Sequence, residues 1–83
     1  MVHRIKTLTR YFERAIKGQK TFELRYNDRD YQVGDVVYLC EWDHENQAYT
    51  GSELGCEIIY VLHGPLYGLS EGWCIFGFKV GDE

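Results

Sequence analysis

The feature that most constrains the fold of this chain is a change of hydrophobic period at Gly18. Before that glycine, apolar residues recur at helical spacing, in the series Leu8, Phe12, Ala15 and Ile16. Beyond it, residues 21–25 alternate with a period of two, so that Phe22 and Leu24 point one way and their neighbours point the other. The pattern predicts a helix over about 9–17, closed by Gly18 and followed directly by a strand.

The other elements are read from shorter signals. Thr7 or Thr9 is suited to cap the start of the helix, and Val2 and Ile5 indicate a first strand before it. Further strands are predicted at about 36–42 and 73–80, the last with aromatic residues on both faces. A long strand is indicated by alternation that places five apolar residues on one face: Leu54, Cys56, Ile58, Tyr60 and Leu62. The polar segments 43–51 and 63–72 are expected to be loops.

These elements predict a mainly β fold of the α+β class. One or two helices and five or six short strands in 83 residues favour a single domain, 1–83, built as a small curled β-barrel with a helix over one opening. In such a closed or strongly curled sheet the last strand is expected to be buried on both faces. A chain this short has a thin margin of stability, which its seven Tyr, four Phe and two Trp help to supply.

The composition argues against a membrane helix and a metal centre. No apolar run approaches the roughly 20 residues that a membrane helix needs, and no apolar signal core follows the first charges, so a soluble cytoplasmic protein is expected. Cys40, Cys56 and Cys74 lack metal-binding spacing and are expected to be free thiols in strands. No cofactor or metal is predicted, and a monomer is the simpler expectation.

The charges are divided unevenly along the chain. Residues 1–29 hold eight cations against three acids, whereas residues 30–83 hold Lys79 against ten acids, for a net charge of −4. A cationic front end can steer an anionic ligand even on an acidic protein. The acidic remainder argues against a surface that follows a long duplex, because phosphate neutralisation requires a strongly basic face. A small anionic or nucleotide-sized ligand fits this distribution better.

The best lead to function is the cassette Gly18-x-Lys20-x-x-Glu23-x-Arg25. A plain helix-to-strand connection does not need Lys20, Glu23 and Arg25 together. Period-two alternation puts Glu23 and Arg25 on the same face of the strand, and the long stem of Lys20 can reach the same space. Arg25 offers a planar fork for phosphate, carboxylate or a base edge, and Glu23 can fix either cation. The competing interpretation is an ion pair on a solvated face, which contributes little to stability.

This cassette, with the motifs around it, resembles the ASCH domain, a branch of the PUA-like β-barrels. The likeness is closer to small uncharacterised ASCH-related bacterial and phage domains, of the type called domain of unknown function 3850. It rests on the order of the cassette and six further motifs, and it covers nearly the whole chain: Tyr11-Phe12-Glu13, Asn27-Asp28-Arg29-Asp30-Tyr31, Val33-Gly34-Asp35, Glu41-Trp42-Asp43, Tyr49-Thr50-Gly51 and Gly68-Leu69-x-Glu71-Gly72. The resemblance implies a PUA-like barrel and a role connected with RNA or nucleotides.

The resemblance also raises the question of catalysis. Some small ASCH proteins are amidohydrolases that act on an acylated cytidine through a Lys, a Thr and a Glu. Lys20 matches that Lys, but Glu23 stands where the Thr is expected. Glu71, after a glycine-containing loop, is a candidate second carboxylate, so the catalytic candidates are Lys20, Glu23 and Glu71.

Other side chains are candidates for binding rather than for chemistry. Arg29 either extends the cluster of Lys20, Glu23 and Arg25 or is clamped between its acidic neighbours. Five aromatic residues are either base-stacking platforms or ordinary core and rim residues: Tyr26, Tyr31, Trp42, Tyr67 and Trp73. The histidines are scattered and form no catalytic arrangement.

Three functions therefore remain open from the sequence. The favoured one is a module that binds RNA or a nucleotide-like small molecule through Lys20, Glu23, Arg25 and Arg29. The second is a small hydrolase of modified, acylated nucleosides. The third is a protein-interaction or regulatory domain, in which the acidic half meets a basic partner.

Overall fold

The computed structural model describes residues 1–81. The chain forms one helix and five strands, in the order β1 (Val2–Leu8), α1 (Thr9–Ile16), β2 (Phe22–Tyr26), β3 (Val36–Asp43), β4 (Ala48–His63) and β5 (Trp73–Val80). The prediction of a mainly β fold with a short helix is confirmed.

The five strands form one curled sheet in the order β1-β3-β4-β5-β2. The β1–β3 pair is parallel, and the other three pairs are antiparallel. The sheet is a half-barrel: β1 and β2 are its two edge strands, and in residues 1–81 no ladder of backbone hydrogen bonds joins them. The gap between these two strands is called the seam below.

The core lies on the concave side of the sheet. Every strand except β2 contributes an apolar side chain that is almost fully buried, for example Ile5 from β1, Leu39 from β3, Ile58 from β4 and Phe76 from β5. Tyr31, in the segment between β2 and β3, closes the core with its ring 4.8 Å from that of Phe76.

The helix α1 covers part of the core with two of its residues. Phe12 and Ala15 are buried, whereas Ile16, which the helical spacing placed on the same stripe, is 58% exposed. Gly18 closes the helix as predicted, with a φ of 75° and its amide donating to the carbonyl of Ala15. The predicted threonine cap is wrong: no side chain caps the start, and the Thr9 hydroxyl donates to the carbonyl of Trp42 instead.

A bulge in β4 overturns the prediction that its apolar residues share one face. The register with β5 shifts between Ile58 and Tyr60, so one extra residue, Ile59, enters the strand. Cys56 and Ile58 point into the core, but Tyr60 is 64% exposed on the opposite face. Strict alternation cannot show such an insertion, because the bulge exchanges the two faces for every residue that follows it.

The expected burial of β5 on both faces is also wrong. Cys74, Phe76 and Phe78 are buried on the concave side, whereas Trp73 on the convex side is 40% exposed. The sheet curls around a single core and leaves its outer surface uncovered. The predicted free thiols are confirmed, with Cys56 and Cys74 buried and Cys40 half-buried.

One of the two predicted loops differs in extent from the expectation. The polar segment at 43–51 is mostly the end of β3 and the start of β4, with a short turn between Asp43 and Ala48. The connection before β5 is a loop as predicted. None of the helical residues in the described range 1–81 belongs to a segment that is long and apolar enough to cross a membrane.

Candidate functional site

The cassette side chains Lys20, Glu23 and Arg25 meet in space. The Lys20 ammonium group donates to Glu23 Oε2 at 2.6 Å, and Arg25 Nε donates to Glu23 Oε1 at 3.2 Å. The Glu23 residue is 5% exposed, so its carboxylate lies between two cations in a largely dry position. The three side chains form a fixed group, called the cassette cluster below, rather than an ion pair on a solvated face.

The polarity of β2 is inverted relative to an ordinary half-buried strand. Its charged residues Glu23 and Arg25 point to the concave side, and Phe22, Leu24 and Tyr26 are about half exposed on the convex side. Burying a carboxylate costs free energy unless it is paired and hydrogen-bonded. The two cations meet that requirement for Glu23, which lets a charged side chain occupy a core-facing position.

The same strand region also joins the two edges of the half-barrel. Arg25 Nη2 donates to the carbonyl oxygen of Lys6 at 2.6 Å, and Arg29 Nη1 donates to the carbonyl oxygen of Arg4 at 2.8 Å. Both acceptors lie on β1, so two guanidinium groups satisfy backbone carbonyls that no neighbouring strand pairs across the seam. Side chains therefore bridge the gap that a closed barrel would fill with backbone hydrogen bonds.

A cleft of about 390 Å³ opens along the seam, beside the cassette cluster. Glu23 and Arg25 line it on the β2 side, and the far wall is formed by β1 and the start of the helix. The other lining residues are Lys6, Thr7, Leu8, Tyr11, Leu24, Tyr26 and Trp73. The space, called the seam cleft below, thus combines charged groups with three aromatic rings.

The aromatic wall of the seam cleft is held in place by its neighbours. The rings of Tyr26 and Trp73 meet edge to face, with their centroids 5.8 Å apart. Gly72 allows this arrangement, because a Cβ atom there would come within 2.8 Å of the Tyr26 ring and its φ is +86°. On the opposite wall, the Tyr11 ring lies 5.6 Å from the Lys20 ammonium group, which links that wall to the cassette cluster.

The structure places the remaining predicted site residues differently. Arg29 does not touch the cassette cluster: it lies further along the seam, on Arg4, and is exposed. Glu71 is exposed in the loop before β5 and does not line the seam cleft. Among the aromatic candidates, Tyr26 and Trp73 line the cleft, Tyr31 lies in the core, and Tyr67 is 97% exposed.

Sequence reasoning missed the contribution of β1 and the helix to the cleft. Lys6, Thr7 and Tyr11 line it although none of them belongs to the cassette. A local signal for Thr7 existed: it is a polar residue in phase with Ile5 on the inward face of β1, and it is 3% exposed. The position of Tyr11 depends on where the helix crosses the seam, which no local pattern determines.

The charges of the site extend into the protein beneath it. Burial, together with a smaller effect of the Glu23 carboxylate, raises the pKa of the Cys56 thiol to about 11. Burial also raises the pKa of the Tyr31 phenol, while the guanidinium groups of Arg25 and Arg29 act in the opposite direction. The charges of the cassette cluster and of Arg29 therefore influence the pKa values of two core residues beneath the cleft, Cys56 and Tyr31.

A larger hollow, of about 760 Å³, lies elsewhere on the surface, between the helix and the β3–β4 hairpin. Its lining includes four carboxylates, those of Glu13, Glu41, Asp43 and Glu45. An anionic ligand would meet repulsion there, in spite of the larger volume. No group of three or more His, Cys, Asp or Glu side chains within residues 1–81 is arranged to hold a metal ion.

Comparison with known proteins finds a matching family and a phage relative. The family described as "Domain of unknown function (DUF3850)" matches residues 2–78. An "Uncharacterized 12.9 kDa protein in GpA 3'region" of Escherichia phage P2 is 39% identical to this chain over 41 residues. That alignment covers 49% of this chain and 38% of the phage protein, so the chain spans well under half of its relative's length.

Proposed function

Because the chain belongs to the family described as a domain of unknown function, DUF3850, we propose its function from the site itself: the seam cleft binds RNA or a nucleotide-like small molecule. The observation that carries this proposal is the buried carboxylate of Glu23, held between Lys20 and Arg25 at the edge of a cleft with aromatic walls.

The cassette cluster fits recognition better than stabilisation of the fold. A buried ion pair is often no more stabilising than well-packed apolar side chains of the same size, since each charge loses its hydration. Here two cations share one carboxylate, so the cluster retains a net positive charge beside the cleft. A fixed cation that has already lost part of its hydration can hold an anion without reorganising.

Glu23 acts in this proposal by positioning the cations. Its two oxygens are used by Lys20 and Arg25, so it is not available as the main acceptor for a ligand. Within the described part of the chain, Arg25 uses Nε and Nη2 for protein contacts, which leaves Nη1 available to a ligand. A guanidinium nitrogen at that point suits a phosphate oxygen or the acceptor edge of a base.

The aromatic wall of the seam cleft provides contacts for the base, which is the second part of a nucleotide ligand. A base placed in the cleft can stack on Tyr11, Tyr26 or Trp73, and stacking on such rings tolerates any base. Stacking and an anion contact side by side select a nucleotide unit over a plain anion. The resemblance to ASCH domains and the PUA-like barrels supports the same class of ligand, and we propose that this half-barrel is a member of that group.

Hydrolysis of an acylated nucleoside is less well supported. The Lys20 ammonium group donates to two acceptors, the carbonyl of Phe22 and the Glu23 carboxylate, and these protein contacts hold it instead of leaving it free to attack a substrate. Glu71, the candidate second carboxylate, lies outside the cleft. The proposed role of Lys20 is therefore electrostatic.

The proposal is tested by affinity measurements with matched variants. Fluorescence anisotropy of a short single-stranded oligoribonucleotide, and calorimetry with the four ribonucleoside monophosphates, would be compared for the unaltered chain, Arg25→Lys and Lys17→Gln. Arg25→Lys keeps the charge but loses the fork, and we expect about tenfold or more weaker binding. Lys17 is exposed at the end of the helix, outside the cleft, so Lys17→Gln is expected to have a small effect.

The dependence of binding affinity on salt concentration is an independent test of the same proposal. Binding through phosphate contacts must weaken as salt rises, with a slope that reflects the number of phosphates neutralised. Weaker binding by Lys17→Gln together with unchanged binding by Arg25→Lys would indicate that general charge, rather than the seam cleft, attracts the ligand. Absence of binding by every nucleotide and oligonucleotide at low salt would overturn the proposal.

A further inference from the structure

Nine adjoining residues on the convex surface of the sheet are uncharged. They belong to β2, β5 and the second half of β4. The strand register arranges them in rows: Phe22 beside Gly77 and Tyr60, Leu24 beside Ile75 and Leu62, and Tyr26 beside Trp73. The bulge residue Ile59 completes the set, next to Gly77. These nine residues are called the apolar face below.

The apolar face is exposed to an extent that ordinary surfaces avoid. Tyr60 is 64% exposed, Tyr26 56%, Leu24 54%, Ile59 51%, Phe22 49% and Trp73 40%. Since a large aromatic side chain presents about 150–250 Å² when fully accessible, the face offers on the order of 600 Å² of apolar surface. A patch of this size is at the upper limit for soluble monomers and marks an interaction site.

The lack of charge identifies the class of partner. Nucleic acids bind through neutralised phosphates, and this face has no cation among its nine residues. Interface cores between proteins are depleted of charge and enriched in aromatic residues, as this surface is. Two ion pairs within residues 1–81 adjoin it, and each carries both signs: Lys79 with Glu57 at 3.7 Å, and Lys20, which lies 5.2 Å from the Phe22 ring, with Glu23 at 2.6 Å.

We propose that the apolar face joins two copies of this chain in a symmetric dimer, sheet against sheet. Two such faces would bury on the order of 1,200 Å², which is the lower end of the range for specific protein interfaces. A two-fold axis brings each patch onto its own copy, and an uncharged patch can do so without placing like charges together. The Lys79–Glu57 pair at the margin is also able to face its own copy.

The shape of the apolar face is suited to packing against the same face of a second copy. Gly77 leaves a notch between the rings of Phe22 and Tyr60, its neighbours on the two adjacent strands. Facing sheets pack by interdigitating side chains, so a notch flanked by two projecting rings can receive a ring or aliphatic side chain of the second copy. A monomer was the simpler expectation from the sequence. The alternation placed Tyr60 on the inward face, whereas the bulge turns it outward and adds its ring to this surface.

The test is sedimentation velocity of the unliganded chain from about 5 to 500 µM, a range chosen for an interface of minimal area. We expect a reversible monomer–dimer equilibrium that Tyr60→Lys weakens about tenfold or more, since the lysine would be buried without a partner. The matched control is Val33→Lys, which introduces the same charge at an apolar residue, 61% exposed, in the turn before β3. It is expected to leave association unchanged.

Gly77→Leu separates a specific interface from general adhesion. A Cβ atom at Gly77 would lie 3.8 Å or more from its neighbours, which is ordinary contact, so the fold accepts a side chain there. Leucine makes the face more apolar yet fills the notch. Weaker dimerisation of this variant supports the proposal, and stronger association contradicts it.

Two outcomes would overturn the proposal outright: a monomer at every concentration, or a dimer that tolerates Tyr60→Lys as well as it tolerates Val33→Lys. Should a variant fail to fold, concentration-dependent amide shifts of the unaltered chain still decide the matter. They are expected at residues 22–26, 59–62 and 73–77, and shifts confined to other segments would contradict the interface. The apolar face shares Leu24, Tyr26 and Trp73 with the lining of the seam cleft, so all of these measurements use the unliganded chain, and their result does not depend on nucleotide binding.

Discussion

The two edge strands of the half-barrel place their charged side chains on opposite faces of the sheet. In β1, Ile5 is 2% exposed on the concave side, and Arg4 and Lys6 lie outside. In β2, the concave position is taken by Glu23, and apolar residues such as Leu24 lie outside. β1 thus places the aliphatic Ile5 inside, between the buried polar residues His3 and Thr7, and its cations outside, whereas β2 places its charged residues inside and its apolar residues outside.

The convex sides of the two edge strands also differ in how their aromatic rings are covered by cationic side chains. Next to β1, Arg4 lies 4.6 Å over the Tyr38 ring and Lys6 lies 4.0 Å over the Trp42 ring, so cationic stems cover the aromatic groups. Outside β2, the Lys20 ammonium group lies 5.2 Å from the Phe22 ring, but within residues 1–81 no cation lies over the Tyr26 ring. We infer that β1 is adapted to the stability of a solvated sheet, whereas β2 gives up stability to hold charges at the seam cleft and an apolar face outside.

Ile5→Ala and Leu24→Ala compare the two strands most strongly. Ile5 is fully buried, so its truncation should cost about 2–5 kcal/mol in the free energy of unfolding. Leu24 is 54% exposed, and the same truncation should cost less than about 1 kcal/mol. Urea denaturation of dilute protein measures both, and equal costs would contradict the inversion of β2.

Glu23→Gln and Glu53→Gln compare the carboxylates of the two edges. Glu23 is buried and bound by two cations, so losing its charge should destabilise the fold by roughly 2–3 kcal/mol. Glu53 forms an exposed pair with Arg4 next to β1, and its replacement should leave the urea midpoint unchanged within error. A midpoint unaffected by Glu23→Gln would show that the cassette cluster is not held in a dry position.

Asp35→Asn tests the anchor of the β1 strand. Burial opposes ionisation of Asp35, but hydrogen bonds from His3 at 2.8 Å, the Gln32 amide and the Met1 amino group outweigh it and lower the pKa of the carboxyl group. A lowered pKa contributes stability that is present above the unfolded pKa of about 3.9 and is lost as the pH falls through the folded value.

The expected cost of Asp35→Asn at pH 7 is about 1–2 kcal/mol, from the loss of charge-assisted hydrogen bonds. Because that contribution disappears in acid, the difference between the variant and the unaltered chain should shrink below about pH 4. Denaturation at pH 7 and pH 3 measures it. A difference that stays constant between these two pH values would mean that Asp35 does not carry the effect through its charge.

Arg29→Gln should have the smallest effect of the series. Its contact with the Arg4 carbonyl is exposed, so we expect a loss of less than about 0.5 kcal/mol in the free energy of unfolding. The same substitution probes the seam, because nucleotide affinity should fall less than in Arg25→Lys. A larger loss of affinity for Arg29→Gln would shift the ligand site away from the seam cleft.

Local periodicity accounts for much of the fold and for less of the site. The end of α1 at Gly18 and the bounds of β5 follow from glycine conformation and strand alternation. The bulge at Ile59 does not, because an inserted residue depends on the register with the partner strand. It is the reason that Tyr60 was assigned to the wrong face.

The inward position of Glu23 illustrates what sequence can and cannot provide. Its spacing from Arg25 placed those two side chains on one face, and the long stem of Lys20 could reach the same space. Their burial depends on the long-range contact of Arg25 with the Lys6 carbonyl, across the seam between strands that are neighbours only because the sheet curls. Tyr11 and Thr7 enter the cleft for the same reason.

The central claim, that the seam cleft is the nucleotide site, is tested most directly by amide chemical-shift mapping during titration with ribonucleoside monophosphates. The account predicts saturable shifts at Thr7, Tyr11, Glu23, Arg25 and Trp73, which surround the cleft from three strands and the helix. Shifts that concentrate in the turn between β3 and β4, beside the acidic hollow, or no shifts at any ligand concentration, would contradict it.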